Sequence, residues 1–115
     1  MAIEEVNKDD IEKKIAKGTN IVLFYSLDCH ACEKMKPNYK STAQAKEKEG
    51  IKFFQSDVNK NMKLMFKYDL DSAPSMLIFK DGKEIGRLKG LHTQEEIILA
   101  IKNANKEQPK LAMIR

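Results

Sequence analysis

Hydrophobic residues along this chain recur with two spacings, which separate predicted strands from predicted helices. Continuous or alternating apolar runs predict strands at 3–6, 20–26, 51–57, 76–80 and 84–89. Apolar residues three and four positions apart predict helices at 8–17, 29–49 and 60–68, and a last helix from Thr93 to the residues before Pro109. Since the run 20–26 is apolar on both faces, it indicates a central strand covered by helices.

Capping residues fit the ends of these helices. Asn7 and Asn59 precede the first and third helices as N-caps. Thr93 and Glu96 have the spacing of a capping box at the start of the last helix, and Pro109 is expected to end it.

The order of the elements predicts the fold class. Strands that alternate with helices, followed by a hairpin and a helix, predict an α/β protein with a mixed central β-sheet flanked by helices on both faces. Residues 1–106 are expected to form a single domain, with 107–115 as a C-terminal tail. The helical residues expected in the core are Ile11, Ile15, Met35, Tyr39, Thr42, Ala43, Met62, Met65, Phe66, Ile97, Ile98, Ile101 and Ala104.

The composition is that of a soluble globular domain. Hydrophobic residues make up 42% and charged residues 33% of the 115-residue chain. The first ten residues are acidic and lack the apolar segment of a signal peptide, so we expect a cytoplasmic protein. The net charge is +4, but lysines are mixed with glutamates throughout, so we expect no nucleic-acid or membrane binding.

The two cysteines, Cys29 and Cys32, follow the central strand and open the long second helix. Residues three apart on a helix are close enough for a disulfide to form and open with little backbone movement. The first cysteine also lies at the positive end of the helix dipole, which favours its thiolate. Cys29 is therefore the expected attacking thiolate and Cys32 the expected resolving thiol.

Two other interpretations of the pair remain open at this point. Cys29 and Cys32 are also compatible with an inert buried pair. They are also compatible with a metal site in which His30 is a third ligand. His92 would be a further ligand if the fold brings it near. A closed zinc site needs four ligands, and only the two cysteines have ligand spacing. We therefore expect no metal.

The chain resembles the thioredoxin family over residues 3–106. The features that carry the resemblance are the strand followed by Cys29-His30-Ala31-Cys32, the second helix with Pro37 inside it, Ala73-Pro74-Ser75 before the fourth strand, Asp81-Gly82, and Gly90 before the last helix. The resemblance implies that the Ala73–Pro74 bond is cis and faces the cysteines. It also implies that Ala73, Pro74 and Gly90 bind a substrate peptide as an added strand.

The resemblance also implies the activity, a thiol–disulfide oxidoreductase that exchanges the Cys29–Cys32 pair with disulfide-containing protein substrates. Tyr25, His30, Ala31 and Pro74 would support the two catalytic cysteines. It implies a monomer that binds no cofactor, works as a reductant in the cytosol, and is recharged by an NADPH-dependent flavin disulfide reductase.

Several positions depart from the pattern of the family. Leu23 stands where thioredoxins carry a buried acid, and its usual lysine partner corresponds to about Phe53. Asp28 replaces the aromatic residue before the first cysteine, while the upstream aromatic position is kept as Tyr25. His30 stabilises a neighbouring thiolate, whereas the charge of Asp28 disfavours it.

The missing acid motivates an alternative function. Without an internal base for Cys32, a redox adaptor or sensor would keep the fold and the disulfide but turn over poorly.

Overall fold

The computed structural model describes the backbone of residues 3–114 and the side chains of residues 3–106. In chain order its elements are β1 (Ile3–Glu5), α1 (Ile11–Lys14), β2 (Thr19–Tyr25), α2 (His30–Lys46), β3 (Lys52–Asp57), α3 (Lys63–Lys67), β4 (Ser75–Lys80), β5 (Lys83–Lys89) and α4 (Gln94–Ile114). A short 3-10 turn, Glu47–Glu49, follows α2, and Gly50 ends it with a φ of 83°.

The five strands form one mixed sheet in the order β1-β3-β2-β4-β5. β1 and β2 both run parallel to β3, whereas β4 runs antiparallel to β2 and to β5. β2 therefore lies in the middle, and every residue from Asn20 to Tyr25 is buried. These observations confirm the mixed α/β sheet and the central position predicted for the apolar run.

Helices cover both faces of the sheet, as predicted. On the α2–α4 face, Leu23 of β2 belongs to a core cluster with Met35 of α2 and Ile97 of α4. On the α1–α3 face, Phe24 of β2 belongs to a second cluster, which includes Leu64 of α3. Successive strand residues point to opposite faces, so one strand supplies both clusters.

Tyr39 fixes α2 against the sheet. Its side chain is fully buried. Its hydroxyl oxygen lies 2.6 Å from the Phe54 carbonyl of β3 and 3.0 Å from the Ile21 carbonyl of β2. Because a hydroxyl has one proton to donate, the contact is shared between the two strands. This contact ties the middle of α2 to β2 and β3.

The first helix is shorter than predicted and covers Ile11–Lys14. The Asn7 side chain does accept the backbone N–H groups of residues 9 and 10, but these residues form a turn before the helix. At the other end, the Asn20 amide donates to the Ile15 carbonyl at 3.3 Å. Contacts with carbonyls at this point satisfy the end of the helix and close it before residue 17. Ile11 and Ile15 are buried, as predicted.

The third helix begins later than predicted, at Lys63, and Asn59 does not cap it. The Asn59 N–H instead donates to the Asp57 carboxylate at 2.8 Å. The Asn61 amide donates to the Asp57 carbonyl at 3.0 Å. These local contacts hold residues 57–61 in turns that compete with the helix, so α3 starts only after them.

The prediction that Met62 and Phe66 face the core is wrong. Their side chains are 62% and 87% exposed, respectively. Leu64 is the residue that α3 buries, with Met65 packed partly against the same cluster. The contacts in the preceding turns set the rotation of this five-residue helix, and the apolar pattern alone does not contain them.

The last helix begins as predicted and ends differently. The Glu96 N–H donates to the Thr93 hydroxyl at 3.1 Å, and the Thr93 N–H donates to the Glu96 carboxylate at 3.0 Å, which confirms the capping box. The prediction that Pro109 ends the helix is wrong, because α4 runs to Ile114. A proline removes one backbone hydrogen bond and kinks a helix without always ending it.

The side chains of the predicted tail, 107–115, lie outside the described residues, so its separation from the domain stays a prediction. Within residues 3–114, the helices offer no stretch with the length and apolar character needed to span a lipid bilayer.

Candidate active site

The two cysteines form a disulfide at the junction of β2 and α2. Their Cα atoms are 5.2 Å apart. Cys29 is the N-cap residue of α2, and its Sγ accepts a hydrogen bond from the Cys32 N–H at 3.1 Å. The carbonyl of Cys29 accepts the Glu33 N–H at 3.2 Å, which closes the first helical turn. The sulfur of Cys29 therefore occupies the place of a capping oxygen, at the positive end of the helix.

The two sulfurs differ in their access to solvent. Cys29 is partly exposed, whereas Cys32 is 1% exposed. The Cys32 Sγ lies 3.5 Å from the Ser26 N–H, under the turn that joins β2 to α2. A large reactant can therefore reach Cys29 from outside, while Cys32 is accessible chiefly to Cys29 itself.

The segment before β4 faces the disulfide. The Ala73–Pro74 peptide bond is cis. The Cys29 Sγ lies 3.7 Å from the Ala73 carbonyl oxygen. The Gly90 N–H donates to the Pro74 carbonyl at 2.8 Å, with Gly90 at a φ of 84° that favours glycine. Residues far apart in the sequence thus meet beside one sulfur.

The backbone of Ala73 is available for pairing. Its N–H and C=O make no hydrogen bond with another backbone group of residues 3–114. The residue itself is partly exposed, while Pro74 is buried. An extended peptide laid along Ala73 would therefore find a donor and an acceptor that no other backbone group of residues 3–114 occupies, next to the disulfide.

The side chains around the cysteines differ in exposure. His30 and Asp28 are exposed, and Ala31 is partly buried. Leu27, in the turn between β2 and α2, is 63% exposed. A carboxylate, an imidazole and a large apolar side chain are therefore exposed at positions next to Cys29 in the sequence.

Tyr25 lies at the end of β2 in a polar cluster that the sequence did not indicate. Its hydroxyl donates to the Glu5 carboxylate at 2.8 Å, and Gln55 donates to the other Glu5 oxygen at 2.9 Å. The ammonium nitrogen of Lys36 lies 3.9 Å from the centre of the Tyr25 ring. Burial, followed by the Glu5 carboxylate, raises the pKa of Tyr25 well above its usual value. Tyr25 is therefore a neutral hydrogen-bond donor in this site.

The register of the sheet sets the surroundings of Leu23. Leu23 pairs with Gln55 and Ile21 pairs with Phe53, while Leu23 and Phe53 lie in the same core cluster. Leu23 is fully buried. The position next to Leu23 thus carries a neutral amide that turns towards Glu5 on β1. The spacing within the sequence does not contain this register, which depends on how the parallel strands align.

The alternative metal site finds no support among the described side chains. Within residues 3–106, no three or more His, Cys, Asp and Glu side chains are placed to hold a metal ion. Cys29 and Cys32 are bonded to each other. His92 lies in the loop after Gly90, where its ring contacts the Lys89 carbonyl and the Glu96 carboxylate.

A disulfide at the start of a helix, beside a cis-proline segment in a mixed α/β sheet, has the architecture of a thiol–disulfide oxidoreductase. The family model for thioredoxin matches residues 2–103, so the chain belongs to the thioredoxin family. This membership confirms the resemblance seen in the sequence and, at the level of the family, the redox-active cysteine pair.

Known proteins show the same relationship. A thioredoxin of Staphylococcus aureus is 28% identical over 97 residues, which cover 84% of this chain and 92% of that protein. A Schizosaccharomyces pombe protein with a provisional protein disulfide-isomerase name is 29% identical over 97 residues, 84% of this chain but 20% of that protein. The crystal structure of the Malassezia sympodialis thioredoxin Mala s 13 superposes on this chain with a TM-score of 0.81. The match covers 90% of this chain and 94% of that one, at 15% sequence identity. This likeness shows the fold.

Proposed function

We propose that this chain is a cytoplasmic protein-disulfide oxidoreductase that works as a reductant of disulfide-containing protein substrates. The observation that carries the proposal is the asymmetry of the two sulfurs. Cys29 is partly exposed and lies 3.7 Å from the Ala73 carbonyl, whereas Cys32 is 1% exposed behind it. This arrangement suits an attacking thiolate and a resolving thiol, respectively.

The reaction begins with the dithiol form. The Cys29 thiolate attacks one sulfur of the substrate disulfide, that bond breaks, and the second substrate sulfur leaves as a thiolate and takes up a proton. The deprotonated Cys32 then attacks the Cys29 sulfur. The Cys29–Cys32 disulfide forms, the mixed disulfide breaks, and the first substrate sulfur is released and protonated. Two electrons and two protons have then moved from the chain to the substrate.

The residues around Cys29 support the first step. The Cys32 N–H, 3.1 Å from the Cys29 sulfur, would stabilise the thiolate. His30, exposed and next to Cys29 in the sequence, would offer an imidazole donor to the thiolate, and the small Ala31 would leave the sulfur open to a large reactant. Tyr25 would hold the end of β2 in place through its hydrogen bond to Glu5.

The substrate is bound in this proposal as an added strand. The backbone of Ala73 supplies the donor and the acceptor, and its carbonyl oxygen lies 3.7 Å from the Cys29 sulfur. Gly90 lies alongside, since its N–H reaches the Pro74 carbonyl. A glycine there leaves room for the backbone of the peptide.

The disulfide that forms must be reduced again by a partner. We propose an NADPH-dependent flavin disulfide reductase as that partner and a monomer as the working form, with no cofactor bound to the chain itself. The resemblance of the cysteine motif to thioredoxins supports this part of the proposal.

Leu23 favours a second candidate function, a redox adaptor or sensor with poor turnover. This side chain is fully buried in the core cluster under α2, on the strand that leads to the cysteines. A leucine cannot accept a proton from Cys32, so resolution of the mixed disulfide would be slow.

The test uses a disulfide-bonded test protein with wild type, Cys29→Ser and Cys32→Ser. We expect wild type to reduce it faster than dithiothreitol alone, Cys29→Ser to be inactive, and Cys32→Ser to accumulate a mixed disulfide visible by mass spectrometry. Ser41→Ala, on the exposed side of α2, is the control and should behave as wild type.

The outcomes separate the two functions. Trapping by Cys32→Ser with little turnover of wild type would favour the sensor. Absence of any trapped species would contradict both candidates.

A further inference from the structure

The imidazole of His92 lies between two acceptors. Its Nε2 is 2.9 Å from the Lys89 carbonyl at the end of β5. Its Nδ1 is 3.1 Å from the Glu96 carboxylate in the first turn of α4. Each ring nitrogen is thus within hydrogen-bond distance of an acceptor, one at the end of β5 and one in α4.

His92 also closes a loop whose other end lies at the candidate active site. The His92 carbonyl accepts the Asn38 amide of α2 at 2.8 Å. At the start of the same loop, the Gly90 N–H donates to the Pro74 carbonyl at 2.8 Å. The loop is thus bonded to the segment before β4 at one end and to α2 at the other. The His92 ring joins its two ends across β5 and α4.

Few charged groups lie around the His92 ring. From α4 the ring meets the Glu96 carboxylate, and the Thr93 N–H followed by the His92 ring holds the pKa of Glu96 below its usual value. From β5 it meets a carbonyl, since the ammonium group of Lys89 pairs with Asp71 at 3.0 Å. From α2 the loop meets the neutral amide of Asn38. The nearest charge is therefore negative.

We propose that His92 is a positioning residue for the reduction of peptide disulfides: it fixes the Gly90–His92 loop beside the peptide-binding edge of Ala73 and Pro74. The inference rests on the proposed function, since it assigns the role of this loop in substrate binding. Leu91, 45% exposed in the middle of the loop, is the side chain that the fixed loop would present to the peptide. His92 acts through the loop and touches neither sulfur in this mechanism.

The test compares two substrates and three variants. The substrates are a histidine-free peptide disulfide, which needs the edge, and bis(2-hydroxyethyl) disulfide, which is too small to use it. His92→Gln removes the ring whose two nitrogens contact both acceptors. Glu96→Gln removes the charge but keeps the capping box, which accepts Glu or Gln at this position. Glu95→Gln, exposed on the same turn, removes an equal charge as the control.

We expect His92→Gln and Glu96→Gln to raise KM for the peptide roughly three- to tenfold, with kcat within about twofold of wild type. The rate with the small disulfide should stay within about twofold in both variants, and Glu95→Gln should match wild type throughout.

Each outcome bears on one proposal. Equal KM values for His92→Gln and wild type, with both substrates reduced, would overturn the role of His92 and leave the proposed function standing. If wild type reduces neither substrate, the proposed function itself would be contradicted. An equal fall in both rates on His92→Gln would mean a general structural role and would also overturn the inference.

Discussion

The two faces of the sheet are covered by helices of very different length. On the α2–α4 face, α2 has 17 residues and α4 has 21. On the α1–α3 face, α1 has four residues and α3 has five. The cysteines lie at the start of α2, on the side with the long helices. A long helix carries a full dipole and several turns of packing, so it can hold a reactive turn in a fixed place.

The α1–α3 face gains its order from side chains in the turns. Asn61 is 7% exposed, donates to the Asp57 carbonyl and accepts the Lys8 N–H at 3.1 Å. It thereby joins the turn before α3 to the turn before α1. The difference between the faces shows two ways of covering a sheet: repeated helical packing on one side, and hydrogen-bonded turns with a few buried residues on the other.

The largest effect that tests this comparison is expected at α3. Leu64→Ala should lower the free energy of unfolding by about 2–5 kcal/mol, because it leaves a cavity in the core of the α1–α3 face. Phe66→Ala should cost less than about 0.5 kcal/mol, since the ring is already 87% exposed. Urea unfolding followed by circular dichroism measures both. Equal costs would mean that α3 is rotated so that Phe66 packs inward.

A smaller effect is expected from one pair of matched substitutions, with one residue on each face. Tyr39→Phe should cost about 1–3 kcal/mol, because the hydroxyl that joins α2 to the Phe54 carbonyl is lost. Tyr68→Phe should cost less than about 0.5 kcal/mol. Tyr68 packs on Phe79 through its ring, and its hydroxyl has no hydrogen-bond partner within residues 3–106.

The same urea experiment measures this pair. If Tyr68→Phe lowers the free energy of unfolding as much as Tyr39→Phe does, the two faces would not differ in the way described. The Tyr39 hydroxyl bond between α2 and the sheet would then have no special weight.

The sequence predicted the α2–α4 face better than the other face. Met35, Tyr39 and Ala43 repeat at helical spacing over several turns of α2, so periodicity alone placed them in the core. Met62 and Phe66 have the same spacing over a single turn, and there the contacts of Asn61 and Asp57 outweigh it. A short helix contains too few repeats for its pattern to determine which side faces the core.

A similar limit applies to the candidate site. The cysteine pair lies within four consecutive residues, so its position at the helix start followed from local spacing. The cluster of Glu5, Tyr25 and Gln55 requires the register of two parallel pairs of strands, which is set by packing across the whole sheet. The ring contacts of His92 likewise join β5 to α4, and the capping box was the one local sign of that junction.

The smallest expected effect concerns alkaline pH and the tyrosine at the edge of the α2–α4 face. Burial, followed by Glu5, raises the pKa of Tyr25 above the usual value near 10. Above that pH the unfolded chain loses the phenolic proton while the folded chain keeps it, so the unfolded state binds fewer protons and stability falls as pH rises. Burial also raises the pKa of Tyr39 and Tyr68, so wild type should lose stability above about pH 10.

Tyr25→Phe should show a shallower fall in melting temperature between about pH 9 and 11, because it removes one of these groups. An identical slope in the two proteins would show that the Tyr25 hydroxyl ionises equally in both states, and that its contact with Glu5 does not persist in solution.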